Sequence, residues 1–303
     1  MKAAEYIVKF LEEVGINIIY GLPGYNVLEI YEAVRKSSIE HVLVKHENSA
    51  SIMADVTGRL TLKPGVCLVT AGPGAIHSAT GVAEAYTAIS PMLHLTGHCS
   101  SKEKIQPYHG VEDWLFLEKI FTNISKWSKT VEEAEKIPYY MNKAYNIAMS
   151  GRKGPVHLSF AMDILDIDIE EEVKLHIYET KISYDAVKDI LKMLHESEKP
   201  IIICGKGVLR SDSTREVEAI IWKVYAPILA TRRTRDVIPF NNKLNIGYTI
   251  MGFGATPEYI LEFIENSDLI LTIGLEEGER KSRMMQEISK NKKLIQIYQE
   301  DPP

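Results

Sequence analysis

The chain has 303 residues, 45% of them hydrophobic and 25% charged, an ordinary balance for packed domains and a length that suits two. It carries 35 Lys and Arg against 41 Asp and Glu, a formal charge of −6; with no basic cluster, nothing in the charge pattern points to nucleic acid. No apolar run is long enough to span a bilayer, and the opening MKAAEYIVKFLEEVG, with Glu5, Glu12 and Glu13 among its apolar positions, reads as an amphipathic helix and not as a signal peptide.

Ala4, Ile7, Val8, Leu11 and Val14 share one helical face, and Gly15 stops the helix. Ile18–Tyr20 reads as a strand closed by Gly21-Leu22-Pro23-Gly24, and a helix over Val27–Arg35 follows. His41–Lys45 is a second strand with Glu47 just beyond it, then a helix through Ala50, Met53, Ala54 and Thr57 that Pro64-Gly65 ends. Val66–Thr70 is a third strand; the loop Ala71-Gly72-Pro73-Gly74 opens a helix over Ala75–Ala88, and Met92–Thr96 is a fourth strand. After an irregular stretch, Trp127 and Ser128 lead to a helix that Pro138 can start. Val156–Phe160 closes the set. Apolar strands alternating with helices predict a parallel sheet covered on both faces.

Residues 1–165 are read as one domain and 166–182, acidic and without helical period, as a linker. Residues 183–303 repeat the alternation: helices near Asp185–His195, Val217–Val224 and Tyr259–Ile264, and strands at Ile201–Cys204, Pro227–Thr231, Leu269–Gly274 and Leu294–Tyr298. The fold class expected is therefore α/β, two doubly wound parallel-sheet domains. Cys67, Cys99 and Cys204 have no paired spacing, and Cys67 and Cys204 sit in strand-like runs, so buried free thiols and a reducing cytoplasm are expected.

Three features fall at the carboxyl ends of strands in the first domain: Gly21–Gly24, Glu47 and Gly72–Gly74. Open α/β sheets bind ligands at that rim. Singly, each has a plain structural explanation: a glutamate complements a helix dipole, and Gly-Pro-Gly turns the chain. Together and in this order they form the pattern of one family. Lys45–Gly97, with His46-Glu47, Met53-Ala54-Asp55, Thr70 to Ala75, Pro91-Met92 and Thr96-Gly97, resembles the pyrimidine-binding domain of thiamine-diphosphate enzymes of the acetolactate synthase kind. Tyr20–Gly24, Lys126-Trp127 and Ser150–Val156 match as well, so the resemblance covers essentially all of residues 1–165.

The resemblance implies thiamine diphosphate as cofactor, a 2-keto acid as substrate, and Glu47 as the acid that hydrogen-bonds a pyrimidine nitrogen. An Asp would fall short by a methylene, and a Gln could not exchange a proton. Thr70, Gly72, Pro73, Gly74 and His77 are then expected to frame the pyrimidine, with Gly21, Pro23 and Gly24 on the thiazolium side. The family's usual Asn at the end of the glycine loop is His77 here, and its usual Gln after the Thr-Gly pair is His98. Its Phe-Gln-Glu stretch is replaced by Tyr108–Trp114. A lone histidine is more often structural than catalytic; His98 and His109 are nevertheless candidates for proton transfer near the substrate.

Residues 185–300 resemble the family's middle domain more loosely, through Ile203–Val208, Ser267-Asp268-Leu269 and Ile273-Gly274. Arg210 stands where a dinucleotide fingerprint has its third glycine. In the segment Leu275–Arg280 only the final Arg of the family pattern remains, and Glu276, Glu277 and Glu279 would repel a pyrophosphate, which argues against FAD. No Gly-Asp-Gly occurs in the sequence. Mg²⁺ and the diphosphate are therefore expected on a domain supplied from elsewhere, and no metal ligand is assigned within this chain. The expected protein is a subunit or fragment of a homo- or hetero-oligomeric enzyme that converts pyruvate to acetolactate, without nucleic-acid or membrane partners. The alternatives are a 2-keto acid decarboxylase or lyase of the same family, or a non-catalytic regulatory homologue.

Overall fold

A computed structural model describes residues 1–102, 104, 111–170, 172–177, 184–249 and 256–299. The chain divides into two compact units, Met1–Glu179 and Thr180–Asp301.

The first unit runs α1 (Ala3–Glu13), β1 (Ile18–Leu22), α2 (Leu28–Arg35), β2 (Glu40–Leu43), α3 (Glu47–Thr61), β3 (Gly65–Val69), α4 (Pro73–His77), α5 (Ala79–Ala88), β4 (Met92–His98), α6 (Phe116–Thr122), β5 (Trp127–Val131), α7 (Ile137–Met149) and β6 (Pro155–Ala161). Its strands form one sheet in the order β2-β1-β3-β4-β6-β5, every pairing parallel. The two faces of the sheet differ. Leu93 and Leu95 of β4 point into an apolar cluster with α1, α2 and α7, built on Tyr6, Phe10, Leu11, Ile30 and Met141. On the opposite face, under α3, α5 and α6, the buried strand residues include His94, Thr96, Ser128 and His157. Much of that polarity is paired internally, although His94 Nδ1 is buried without a hydrogen-bond partner among the described residues. His94 Nε2 lies 2.7 Å from Ser78 Oγ, and His157 bridges Thr96 Oγ1 (2.9 Å) and Ser128 Oγ (2.8 Å).

Local expectations change within the first unit. Trp127–Val131 is an edge strand paired with β6, where no strand was expected. The helix expected over Ala75–Ala88 is two helices, because Ser78 interrupts it, donating its hydroxyl to Ala75 O at 2.6 Å while also meeting His94. Part of the acidic segment runs along the first unit: Asn142 Nδ2 donates to Lys174 O at 2.8 Å, and Lys2 pairs with Asp168.

The second unit runs α8 (Tyr184–Glu196), β7 (Pro200–Cys204), α9 (Lys206–Arg210), α10 (Thr214–Val224), β8 (Ile228–Thr231), β9 (Asn245–Thr249), α11 (Glu258–Asn266), β10 (Leu269–Ile273), α12 (Glu277–Arg280), α13 (Arg283–Ser289) and β11 (Lys293–Ile297). The sheet order is β11-β10-β7-β8-β9, again all parallel. Both units are thus α/β with doubly wound parallel sheets, and apolar clusters cover both faces of the second sheet. Cys67 and Cys204 are buried free thiols, and burial pushes the Cys204 thiol up to about 12. Among the described residues, no helix is long and apolar enough to cross a membrane.

Candidate active site

In the first sheet the chain moves from β1 outward to β2, then returns to place β3 on the other side of β1. This reversal opens a crevice beyond the carboxyl ends of β1 and β3, the place where open α/β sheets bind ligands. Gly21 and Leu22 end β1 there and Pro23-Gly24 leave it, while Thr70–Gly74 follows β3.

Glu47 is the first residue of α3. Its neighbour His46 is the N-cap: the backbone is extended (φ −156°), and Nδ1 accepts the Asn48 N–H at 3.2 Å. Helix α3 buries Ala50, Ser51, Ala54, Asp55 and Gly58 along one stripe at helical spacing, and Glu47 begins that stripe. The helix is pinned against α5 by close contacts that tolerate no larger side chain. A Cβ on Gly81 would lie 2.3 Å from Ser51 Oγ. Asp55, buried, accepts from Arg59 Nε at 2.9 Å, and Arg59 reaches on to Glu84 of α5 at 2.9 Å. Glu47 is thereby fixed on a rigid element, its side chain only 12% exposed.

The Glu47 carboxyl has two distinct sides. Oε2 is 3.1 Å from His77 Nδ1 at the end of α4. Oε1 faces Gly74: a Cβ there would stand 3.4 Å from Oε1 and 2.9 Å from Thr70 Cγ2. The missing side chain leaves a shallow floor between Thr70 and the carboxyl. Gly72 holds φ +62°, a left-handed backbone natural to glycine, and it turns the chain so that Pro73 takes the first turn of α4. Across the crevice a Cβ on Gly24 would come within 2.5 Å of Thr70 Cβ, so the two loops touch. The need for glycine at Gly21 is different, because the Tyr31 hydroxyl passes over it to donate to Leu68 O at 2.7 Å. Pro23 lies exposed on the same loop.

Asn26, which the sequence reading did not single out, ties this edge together. Its Oδ1 accepts from Thr70 Oγ1 at 3.3 Å, and its Nδ2 donates to His98 O at 3.2 Å. A Cβ on Gly97 would press on Asn26 Cβ at 2.6 Å. An asparagine in a turn carries no distinguishing signal, so only the fold reveals it.

His98 ends β4 at this edge, but its ring turns toward Trp114, with Nε2 3.0 Å from Trp114 O and ring centroids 4.1 Å apart. Burial lowers its pKa, holding it neutral near pH 7. His109 lies outside the described residues. Glu47, Thr70, Gly74, Gly24 and His77 therefore form one cluster, with Gly21, Gly72 and Pro23 shaping its loops and His98 linked to it through Asn26.

The second unit has its own reversal between β7 and β10. There the Gly-x-Gly is spent on packing: a Cβ on Gly205 would sit 2.4 Å from Gly274 O, and one on Gly207 2.6 Å from Gly274 Cα. Glu276 and Glu279 close a reciprocal cap on α12, and the Arg280 guanidinium lies 3.6 Å from the centre of the Tyr298 ring.

Comparison with known proteins agrees on both units. Residues 1–115 match the family described as thiamine pyrophosphate enzyme, N-terminal TPP binding domain, and residues 187–302 match its central domain. The chain is 33% identical over 306 aligned residues to the probable acetolactate synthase large subunit of Methanocaldococcus jannaschii, covering 98% of this chain and 51% of that protein. It is 31% identical to the acetolactate synthase large subunit of Buchnera aphidicola subsp. Acyrthosiphon pisum, with 98% and 52% covered. With the acetolactate synthase isozyme 1 large subunit of Escherichia coli the figures are 29%, 97% and 52%. The chain spans about half the length of the curated relatives it matches.

Proposed function

The chain belongs to the thiamine pyrophosphate enzyme family, and from that membership we propose that it forms the pyrimidine-binding domain (1–165), linker (166–182) and middle domain (183–303) of an acetolactate synthase-like enzyme. The substrate proposed is a 2-keto acid, pyruvate first, decarboxylated and joined to an acceptor. The observation that carries this reading is the Glu47 carboxyl, buried at the start of α3 with Oε1 facing the Gly74 floor at the sheet's switch point.

These residues fit a flat aromatic ring. Glycine at 74 and 24 lets bare backbone close directly on Thr70, and the surface so formed ends at a carboxyl oxygen that can share a proton with a ring nitrogen. Thiamine diphosphate, when bound, supplies a thiazolium that stabilises negative charge on the carbon losing CO₂. Glu47 holds the proton at the far side of the pyrimidine. His77 restrains the carboxyl from its other oxygen, so that Oε1 keeps its direction. Thr70, itself held by Asn26, sets the wall against which the ring lies.

The sequence contains no Gly-Asp-Gly, and the diphosphate with its Mg²⁺ is proposed to be held by residues outside these 303. Helix α3 supports such an arrangement. Opposite its buried stripe it exposes Ile52, Met53, Val56 and Leu60, the last by 79%, and Ile76 of α4 is exposed as well. Such a patch beside the Glu47 crevice suits a contact with another subunit of the oligomer. A tightly bound flavin is not proposed for the middle domain, because its glycines pack on Gly274 and Arg280 is engaged with Tyr298.

Reconstitution tests the reading. The chain is combined with a diphosphate-binding domain of the family, in cis or in trans, together with Mg²⁺, thiamine diphosphate and pyruvate, and CO₂ release is measured. Release that depends on both the cofactor and this chain is expected. Release independent of the chain, or none with any 2-keto acid, would contradict the proposal.

A further inference from the structure

We propose that His46, Glu47 and His77 form a binding site for a borderline divalent transition-metal ion, Zn²⁺ in the first place. One donor atom from each residue lies within 4.8 Å of the other two. The ligands come from two elements that the fold brings together, His46 and Glu47 at the start of α3 and His77 at the end of α4. The two imidazole rings already stack, their centroids 4.9 Å apart and their planes 27° from parallel.

The donor set selects the ion. Two imidazole nitrogens and one carboxylate oxygen, with a side left open, are the three protein ligands of a zinc site whose fourth position is water. Mg²⁺ and Ca²⁺ prefer shells of oxygen and gain little from imidazole. Access differs usefully among the ligands: His46 is exposed and the His77 side chain 51% exposed, so an ion can enter, while the 12% exposed Glu47 anchors it.

Little has to move. Bonds of about 2.0–2.2 Å to a tetrahedral zinc place its donors about 3.3 Å apart. His77 Nδ1 and Glu47 Oε2 stand at 3.1 Å already. His77 binds the metal through Nδ1 in the tautomer that carries its proton on Nε2. His46 must swing, and the metal bond then replaces its 3.2 Å cap to the Asn48 N–H. An ion bound at Oε2 leaves Oε1 in place but, by its charge, lowers the affinity of the same carboxylate for the proton that the cofactor would share. Resting on the function proposed above, it follows that Zn²⁺ weakens the binding of thiamine diphosphate.

Calorimetric titration of the metal-free 303-residue chain with Zn²⁺, and in parallel with Mg²⁺, tests the site without any need for catalysis. One Zn²⁺ per chain is expected, with no Mg²⁺ binding. His77→Asn and His46→Asn are each expected to weaken Zn²⁺ by at least about tenfold, with thermal unfolding unchanged, since asparagine preserves the helix cap. Absence of saturable one-to-one binding would overturn the proposal. So would wild-type affinity in both variants, which would place the ion elsewhere. A second titration, adding thiamine diphosphate to the assembled enzyme with and without Zn²⁺, separates the two proposals. Zn²⁺ binding that leaves cofactor affinity unchanged would keep the metal site and count against the cofactor reading of Glu47.

Discussion

At the scale of single residues, two glycines in the same crevice serve different ends, and substitution separates them. A Cβ on Gly21 would lie 2.2 Å from the Leu68 carbonyl oxygen and 2.1 Å from the Tyr31 hydroxyl. The carbonyl belongs to a central strand and cannot give way cheaply. Gly21→Ala is therefore expected to cost about 1–3 kcal/mol or more in urea unfolding, as overpacking does. A Cβ on Gly74 meets mainly the Thr70 methyl, at 2.9 Å, which can shift slightly. Gly74→Ala should cost under about 1 kcal/mol yet weaken thiamine diphosphate binding, because it fills the floor beneath Glu47. A variant at Gly74 that binds cofactor as well as wild type would remove that floor from the site. The residue identities at Glu47, Thr70 and Gly74 are local and lie in a recognisable order, so the sequence exposes them. The pairing of His77 with Glu47 spans thirty positions and depends on where α4 ends, so only the structure discloses it.

At the scale of elements, β4 and β6 carry a pH dependence. His94 and His157 are wholly buried between the sheet and α5–α6. Burial lowers His94 to about 3 and His157 well below the ordinary value, the latter further opposed by His94 and His98. Unfolded histidines titrate near 6.5. Below that pH the unfolded chain therefore binds protons that the folded one refuses, and stability falls. Each residue should contribute a slope of up to about 1.4 kcal/mol per pH unit as pH falls below about 6.5, for His94 down toward 3. Melting of the wild type and of His94→Gln across pH 4–8 checks this, and an equally steep loss in the variant would rule His94 out. The sequence shows these strands as apolar runs, which their register largely is, but not that alternate positions form a polar ladder. β5 escapes for a related reason: Trp127–Val131 is a half-buried edge strand with serine, lysine and threonine inside it, so its pattern is weak. Helix α3 is the opposite case. Its buried stripe follows helical spacing from Glu47 to Gly58, and the remaining apolar residues fall on the other face.

At the scale of the whole molecule, the exposed apolar face of α3 marks where this chain would meet another subunit. Met53→Glu or Leu60→Glu should leave melting of the chain unchanged within about 0.5 kcal/mol, as surface changes do, while lowering the assembled mass in sedimentation. An unaltered assembly in both variants would place the contact elsewhere. The alternation of strands and helices made both doubly wound sheets legible, although β9 was not anticipated, and strand order, which creates the switch point beside Glu47, is not a property of any local segment. What joins the fold to the proposed chemistry is a single proton held by Glu47. The measurement that reaches it most directly is hydrogen–deuterium exchange at C2 of thiamine diphosphate bound to the assembled enzyme, followed by proton NMR in wild type and Glu47→Gln. Glutamine keeps the shape and the hydrogen bond but cannot exchange the proton. Exchange in Glu47→Gln is expected to be slowed by about 10²–10⁴-fold, the usual contribution of a positioned acid or base, with cofactor still bound; exchange as fast as in wild type would contradict the role of Glu47.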